Sequence, residues 1–168
     1  MTSAPSLSCG AYQIREIRPG DDAGVESVIR ACLVEFGANR PGFAWADPDL
    51  GRFSQVYAAP ASRYWVVEAP DGGIVGGAGI GPLPGAQGVC ELQKMYCLPP
   101  VRGTGAAHIL MDLALAFAAR HYRQCYLETF HTMAAANRFY QKYGFRRLER
   151  PYLPTEHFAC DIWYLKDL

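Results

Sequence analysis

The feature that most restricts the fold of this chain is a short glycine-rich turn between an apolar strand and a long apolar helix. The turn, residues 102–107, reads Arg-Gly-Thr-Gly-Ala-Ala. The predicted strand Val89–Leu98 precedes it, and a helix predicted from Gly105 to about Tyr122 follows. Such small residues leave the main-chain N–H groups of the first helical turn uncovered, at the positive end of the helix dipole. The sequence therefore predicts a turn that binds a phosphate or pyrophosphate group.

Three interpretations of this turn compete. A P-loop would need the lysine and hydroxyl of Gly-x-x-x-x-Gly-Lys-Ser/Thr, and these are absent. A dinucleotide fingerprint would need glycine or alanine where His108 stands, so that match is weak. A glycine-rich connector without any ligand stays open on this motif alone.

The rest of the chain predicts a mixed α and β domain around a largely antiparallel sheet. We expect a flexible tail over residues 1–10 and one domain over residues 11–168. The predicted strands are Tyr12–Ile17, Tyr64–Ala69, Ile74–Ile80, Val89–Leu98, Cys125–Phe130, Phe145–Leu148 and Phe158–Leu165. The predicted helices are Ala23–Phe36, Leu50–Tyr57, Gly105–Tyr122 and Ala134–Tyr143.

Composition narrows the function classes. Sixteen basic residues balance sixteen acidic ones, which disfavours a nucleic-acid partner or an anionic membrane. We find no signal peptide and no apolar run long enough to span a bilayer, so we expect a cytoplasmic protein. The six cysteines contain no Cys-x-x-Cys pair, and we expect buried thiols and no metal site.

Two motifs, one after the other along the chain, resemble the two signature motifs of the GNAT superfamily of acyl-CoA N-acetyltransferases. Arg102-x-x-Gly105-x-Ala107 is similar to the pyrophosphate loop Gln/Arg-x-x-Gly-x-Gly/Ala, and residues 92–101 resemble the family's fourth strand. Asn137 to Phe145 is similar to the second signature, Asn-x-x-x-Tyr-x-x-x-Gly-Phe. One departure is Thr104, where many members carry Lys or Arg.

The resemblance implies a fold and a co-substrate site. We expect the family's twisted, mostly antiparallel sheet of about seven strands with about four helices, splayed between its fourth and fifth strands. Acetyl-CoA would lie in that cleft, with its pantetheine arm paired to the main chain of Met95, Tyr96 and Cys97. The resemblance assigns the pyrophosphate to Arg102, Gly103, Thr104, Gly105, Ala106 and Ala107. It assigns a further coenzyme contact to Asn137, whose alternative role is to cap the helix.

The resemblance also implies the chemistry, which is transfer of an acetyl group to a primary amine by direct attack in a ternary complex. Tyr140 is the expected general acid for the departing thiolate, with core packing as its alternative role. Glu91 is slightly preferred to Glu128 as the general base, and either could instead be a salt-bridged side chain. His108, His121, His131 and His157 are less favoured proton relays.

Acceptor recognition is expected from the loops over Gly37–Pro48 and Pro151–His157. The aromatic residues Phe43, Trp45, Tyr152 and Phe158 would either line an acceptor site or fill the core. We expect a small-molecule amine, with a protein or peptide N-terminus or lysine as the alternative. A non-catalytic acyl-CoA-binding module is the alternative from another class, and the apolar last strand permits a homodimer.

Overall fold

The computed structural model describes residues 5–168, which form an eight-stranded sheet with four α-helices. The strands are β1 (Leu7–Cys9), β2 (Tyr12–Glu16), β3 (Arg63–Glu68), β4 (Ile74–Pro82), β5 (Val89–Cys97), β6 (Gln124–Thr129), β7 (Arg146–Leu148) and β8 (Ile162–Asp167). The helices are α1 (Asp22–Glu35), α2 (Phe53–Val56), α3 (Ala106–His121) and α4 (Ala134–Lys142). Spatially the strands run β1-β2-β3-β4-β5-β6-β8-β7, and every neighbouring pair except β5 with β6 is antiparallel.

Strand β3 shows why the sheet is covered on both faces. Trp65 and Val67 belong to the core under α3, whereas Tyr64 and Val66 belong to the core shared with α1 and α2. Successive side chains of a strand point to opposite faces, so an uninterrupted apolar run indicates a strand buried on both sides. The sheet is therefore the middle layer of three.

Helix α3 packs on the sheet through alanines and two larger apolar side chains. Its buried face consists of Ala106, Leu110, Met111, Ala114 and Ala118. The periodicity in the sequence instead indicated a face through Ile109, Leu113, Ala116 and Phe117. Ile109, Leu113 and Phe117 are half-buried at the edge of this core, and Ala116 is exposed, so the predicted face is rotated from the fully buried one.

The N-terminal region differs from the sequence prediction. Residues 1–10 were assigned to a flexible tail, but Leu7–Cys9 pair with β2 through a hairpin at Gly10, whose φ is 58°. The strand has only three residues, too few to show an alternating pattern. Residues 1–4 lie outside the described part of the chain.

The last strand also begins later than predicted, at Ile162 instead of Phe158. The segment before it turns, because Cys160 N–H donates to His157 O at 3.0 Å and Ala159 N–H donates to Gly42 O at 3.0 Å. Phe158 is left 76% exposed at the surface. Within residues 5–168, no helix is both long enough and apolar enough to cross a membrane.

Candidate active site

The sheet opens between β5 and β6. These parallel strands pair only at Val89 with Gln124, Cys90 with Cys125 and Glu91 with Tyr126. Beyond Glu91, β5 continues to Cys97 and β6 to Thr129 without further pairing between them. The predicted splay between these strands is confirmed, and Glu91 lies where they part.

A bulge bends β5 just beyond this point. Gly77 pairs with Tyr96 and Gly79 with Gln93, so two residues of β5 lie opposite one of β4. Lys94, in the bulge, has a φ of 51°, and its carbonyl accepts a hydrogen bond from the buried Tyr64 hydroxyl at 2.8 Å. A buried hydroxyl that satisfies the bulged carbonyl stabilises this uncommon backbone conformation.

The glycines of β4 make room for this arrangement. A Cβ on Gly79 would lie 2.6 Å from the Tyr64 ring and 2.9 Å from the Tyr57 ring. Only glycine therefore allows both tyrosines to reach under β4 towards β5.

The predicted phosphate turn has open main-chain donors. Gly103 and Gly105 have φ values of 78° and 95°, a conformation that favours glycine. In residues 5–168, the N–H groups of Gly103, Gly105 and Ala107 have no backbone partner. The Thr104 hydroxyl donates to Val101 O at 2.6 Å and so ties the turn together. Successive uncovered N–H groups at a helix start form an anion-binding concavity.

The Arg102 side chain points from the turn towards α1. Its guanidinium donates two hydrogen bonds of 2.7 Å to the Glu35 carboxylate and one of 2.9 Å to Cys97 O. It also lies over the Phe36 ring, 5.4 Å from the ring centroid. Arg102 thus fixes the end of β5 to the end of α1.

Tyr140 is positioned by the way α4 ends. Phe145 N–H donates to Tyr140 O and Gly144 N–H to Gln141 O, while Gly144 has a φ of 83°. This is the Schellman arrangement, in which an apolar contact accompanies the two bonds. Here that contact joins the Tyr140 and Phe145 rings, with centroids 6.2 Å apart. The spacing Tyr-x-x-x-Gly-Phe is therefore the signature of a helix end that orients Tyr140.

The Tyr140 hydroxyl reaches open space inside the protein. The residue is 8% exposed, and its hydroxyl has no hydrogen-bond partner among residues 5–168. Since no fully enclosed side-chain oxygen there lacks a partner, this hydroxyl must face a cavity. Burial raises the pKa of Tyr140 above the usual value, so the phenol is protonated at neutral pH.

Asn137 makes its side-chain contacts within the protein. Its amide nitrogen donates to Met133 O at 2.8 Å and Phe130 O at 3.2 Å, and its oxygen accepts from the Tyr164 hydroxyl at 3.0 Å. These bonds join the end of β6, α4 and β8. Both amide N–H groups are used, so the coenzyme contact implied by the resemblance stays a prediction.

Glu91 and Glu128 lie in different environments. The Glu91 carboxylate accepts one side-chain hydrogen bond, from Gln93 at 2.8 Å. Glu128, whose side chain is 3% exposed, accepts from the hydroxyls of Thr155 and Tyr126 at 2.7 and 2.9 Å. Burial, followed by repulsion from Glu128, raises the pKa of Glu91. A carboxylate with a raised pKa and few partners is the better proton acceptor of the two.

A second group of charges ties together three distant segments. Asp47 contacts Lys94 Nζ at 2.5 Å and His157 Nε2 at 2.9 Å, and His157 Nδ1 lies 3.7 Å from Glu128 Oε2. Burial opposes ionisation of Asp47, but His157 and Lys94 together hold its pKa below the usual value. Both loops predicted to recognise the acceptor therefore meet at this group.

Three cavities meet around the splay. The turn-side cavity, of about 250 Å³, is lined by residues that include Met95, Tyr96, Cys97, Arg102, Gly103, Ala107 and Tyr140. The loop-side cavity, of about 650 Å³, is lined by residues that include Asp47, Asp49, Phe53, Tyr57, Leu83, Glu91, Gln93, Lys94, Glu156 and His157. A junction cavity of about 60 Å³ between the strands shares Tyr140 with the first and Glu91 with the second.

The remaining predicted residues divide between these cavities and the surface. Phe43 lines the junction cavity, whereas Trp45, Tyr152 and Phe158 line none of the three. Trp45 packs against the core shared with α1 and α2, and Tyr152 and Phe158 are exposed. Among the four histidines only His157 lines a cavity. His108 contacts Tyr143, His131 contacts Asp161 and His121 packs on Phe117.

Sequence reasoning missed the polar residues of the loop-side cavity. Tyr57 donates to Gln93 Oε1 at 2.8 Å, and Gln93 in turn donates to Glu91, so both orient that carboxylate. Gln93 and Lys94 were noticed only as part of the strand before the turn. The sequence has no local signal that brings Asp47 and Tyr57 to them, since all these contacts are long-range.

Comparison with known proteins fits this geometry. The Acetyltransferase (GNAT) family model matches residues 30–145. An uncharacterized N-acetyltransferase of Escherichia coli, YjgM, is 38% identical over 158 residues, covering 92% of this chain and 94% of the relative. Another, C1271.07c of Schizosaccharomyces pombe, is 27% identical over 153 residues, covering 90% of each chain. A GNAT-family acetyltransferase structure from Staphylococcus aureus superposes with a TM-score of 0.82 at 22% identity, covering 94% of this chain and 99% of that one.

The open sheet and these relatives identify the protein as an acetyltransferase of the GNAT type. The chain belongs to the acetyltransferase (GNAT) family. Membership implies a co-substrate based on coenzyme A.

Proposed function

We propose that this protein transfers an acetyl group from acetyl-CoA to a primary amine of a small molecule, by direct attack within a ternary complex. The observation that carries the proposal is the meeting of two cavities from opposite sides of the splay, with the unpartnered Tyr140 hydroxyl at their junction. One cavity borders the phosphate turn and the other borders the charged loops. Two substrates bound in these cavities could therefore approach each other through the gap between β5 and β6.

The turn-side cavity is the proposed site of acetyl-CoA. The uncovered N–H groups of Gly103, Gly105 and Ala107 would bind the pyrophosphate, together with the rest of residues 102–107. The pantetheine arm would follow the unpaired edge of β5 along Met95, Tyr96 and Cys97, as a strand adds to a sheet. Asn137 would contribute by holding α4 in place beside the thioester.

The loop-side cavity is the proposed path of the amine. Glu91 accepts a proton from the ammonium, and the resulting amine attacks the thioester carbonyl carbon. The new C–N bond forms, and the tetrahedral intermediate collapses with cleavage of the C–S bond as Tyr140 donates its proton to the departing sulfur. The second proton that the nitrogen loses then returns to the Tyr140 phenolate, which leaves a neutral amide and free coenzyme A. A concave cavity of about 650 Å³ is of the size that takes a small molecule, which supports a small acceptor over the surface of a folded protein.

The test is a transfer assay with acetyl-CoA and a panel of small amines. Because all six cysteines are free thiols, acetylated product should be counted by mass spectrometry alongside coenzyme A release. The proposal expects stoichiometric acetylamine and coenzyme A. Binding of acetyl-CoA by calorimetry without product from any amine or peptide would instead indicate a non-catalytic binding module.

A further inference from the structure

The charges around the loop-side cavity do not balance. Four carboxylates line it, those of Asp47, Asp49, Glu91 and Glu156, against two basic side chains, Lys94 and His157. Lys94 is only 11% exposed, so its charge acts inside the cavity wall and not in bulk water. The electrostatic field in this cavity therefore depends on which of these charged groups are paired with each other.

Both basic side chains are paired with one carboxylate. Lys94 and His157 contact Asp47 at 2.5 and 2.9 Å. Asp49 is paired with Arg52 at 3.1 Å. Within residues 5–168, Glu91 and Glu156 have no basic side chain within 4.0 Å. The cavity thus keeps two unneutralised carboxylates, which attract cations.

Glu91 and Glu156 lie at different distances from the Tyr140 hydroxyl along the cavities. Glu91 also lines the junction cavity, into which the buried Tyr140 hydroxyl projects without a partner. Glu156 is exposed and lines only the loop-side cavity. The first marks the inner end of an acceptor path, and the second marks its outer part.

The rest of the cavity lining is largely apolar. It includes Phe53, Val56, Tyr57, Leu83 and Pro154. Methylene groups gain free energy by leaving water for such a surface, whereas a chain of hydroxyls would lose hydrogen bonds there.

We infer that the acceptor is an aliphatic diamine or polyamine, with its reacting amine at Glu91, its methylene chain along the apolar wall and a second ammonium at Glu156. This inference rests on the proposed function and names its substrate class. An amino acid is a poorer fit, because its carboxylate would add negative charge beside Glu156 and would compete with Asp47 for Lys94.

Three acceptors with the same five-carbon chain separate these alternatives: cadaverine, pentylamine and δ-aminovalerate. We expect kcat/KM for cadaverine to exceed that for pentylamine by about tenfold, and δ-aminovalerate to be the poorest. The advantage of cadaverine should shrink as ionic strength rises, because exposed charge pairs are screened by salt.

Two matched variants locate the outer contact. Glu156→Gln should reduce the ratio of cadaverine to pentylamine activity from about tenfold towards one. Glu149→Gln removes an exposed carboxylate of the same connection that lines none of the cavities, and it should leave that ratio unchanged.

The failures of the two proposals are distinguishable. Equal activity with cadaverine and pentylamine, or preference for δ-aminovalerate, would overturn the diamine inference and leave acetyl transfer standing. A cadaverine preference that survives Glu156→Gln would overturn the assigned position of the second ammonium. Acetyl-CoA binding without transfer to any of the three, or to the wider panel, would overturn both proposals.

Discussion

Tyr140 carries the most specific prediction at the scale of single residues. Tyr140→Phe keeps the ring that packs on Phe145 and removes only the unpartnered hydroxyl. Since a general acid contributes about a hundredfold or more, kcat should fall by about that factor while coenzyme A affinity changes little. Steady-state kinetics and calorimetry measure the two quantities separately.

Tyr143→Phe is the matched control for this variant. Tyr143 follows the same helix, but its hydroxyl contacts His108 and Asp112 at 3.1 Å and lines none of the cavities. Its removal should leave kcat nearly unchanged. Equal loss of turnover and of coenzyme A binding in Tyr140→Phe would assign Tyr140 to packing instead of proton transfer.

Glu91 should show opposite effects on activity and stability. Its folded-state pKa is raised, so the folded protein holds this proton more tightly than the unfolded chain, and ionisation at higher pH destabilises the fold. Glu91→Gln should therefore raise the melting temperature at pH 8, lower kcat/KM and remove the acidic limb of its pH profile. Calorimetry and a pH–rate series test these outcomes.

Glu128→Gln separates the two candidate bases. Its carboxylate accepts hydrogen bonds from two hydroxyls, so an amide there loses acceptor capacity and should lower the melting temperature. The acidic limb should persist in this variant. If the limb disappeared in Glu128→Gln and survived in Glu91→Gln, the assignment of the base would have to be exchanged.

At the scale of elements, the turn before α3 depends on its backbone conformation. An alanine at Gly105, where φ is 95°, is strained by about 1 kcal/mol, and relief of that strain would move the N–H donors. Gly105→Ala should weaken coenzyme A binding about tenfold by calorimetry. Gly20→Ala is the control, because a Cβ there would meet nothing within 4 Å, and it should leave coenzyme A affinity unchanged. Unchanged affinity in Gly105→Ala would remove the turn from the coenzyme site.

Most elements could be predicted because their signals are local. The turn before α3 and the glycine after α4 appear in the sequence beside the elements that they bound, and both were placed correctly. The sequence did not predict strand β1 or the correct start of β8, because the limits of both depend on pairing with other strands. The bulge at Lys94 was also missed, because it is stabilised by Tyr64, thirty residues earlier in the chain.

At the scale of the whole molecule, Asp47 joins a loop, the bulged strand and the segment before β8. Asp47→Asn should lower the free energy of unfolding at pH 7 by about 2 kcal/mol, because it leaves the nearly buried Lys94 without its counter-charge. The folded-state pKa of Asp47 is lowered, so its contribution is present above the ordinary aspartate pKa, about 4, and is lost as pH falls through the folded value.

Urea denaturation at several pH values measures this difference. It should shrink as the pH is lowered below about 4. The exposed pair of Asp49 and Arg52 provides the control, and Asp49→Asn should cost less than about 1 kcal/mol. A pH-independent difference for Asp47→Asn would mean that the residue acts by packing and not by charge.

The candidate site was predictable only where its residues belong to the two motifs. Residues 102–107 and Tyr140 were found in this way, and Glu91 was found from its strand. Asp47, Tyr57 and Gln93 are joined by the tertiary fold alone, and no spacing along the chain relates them. The half of the candidate site beside the motifs was therefore predictable from the sequence, and the loop-side half was not.

The Schellman end of α4 has a consequence for how mutational screens of this enzyme are interpreted. The ring of Phe145 and the left-handed backbone of Gly144 set the tilt of the phenol one turn earlier. Changes at either position should lower turnover in the same way as loss of the Tyr140 hydroxyl, although neither residue lines any of the three cavities. A mutational survey that measures turnover alone would assign both residues a catalytic role. A stability measurement on the same variants would show that their role is structural.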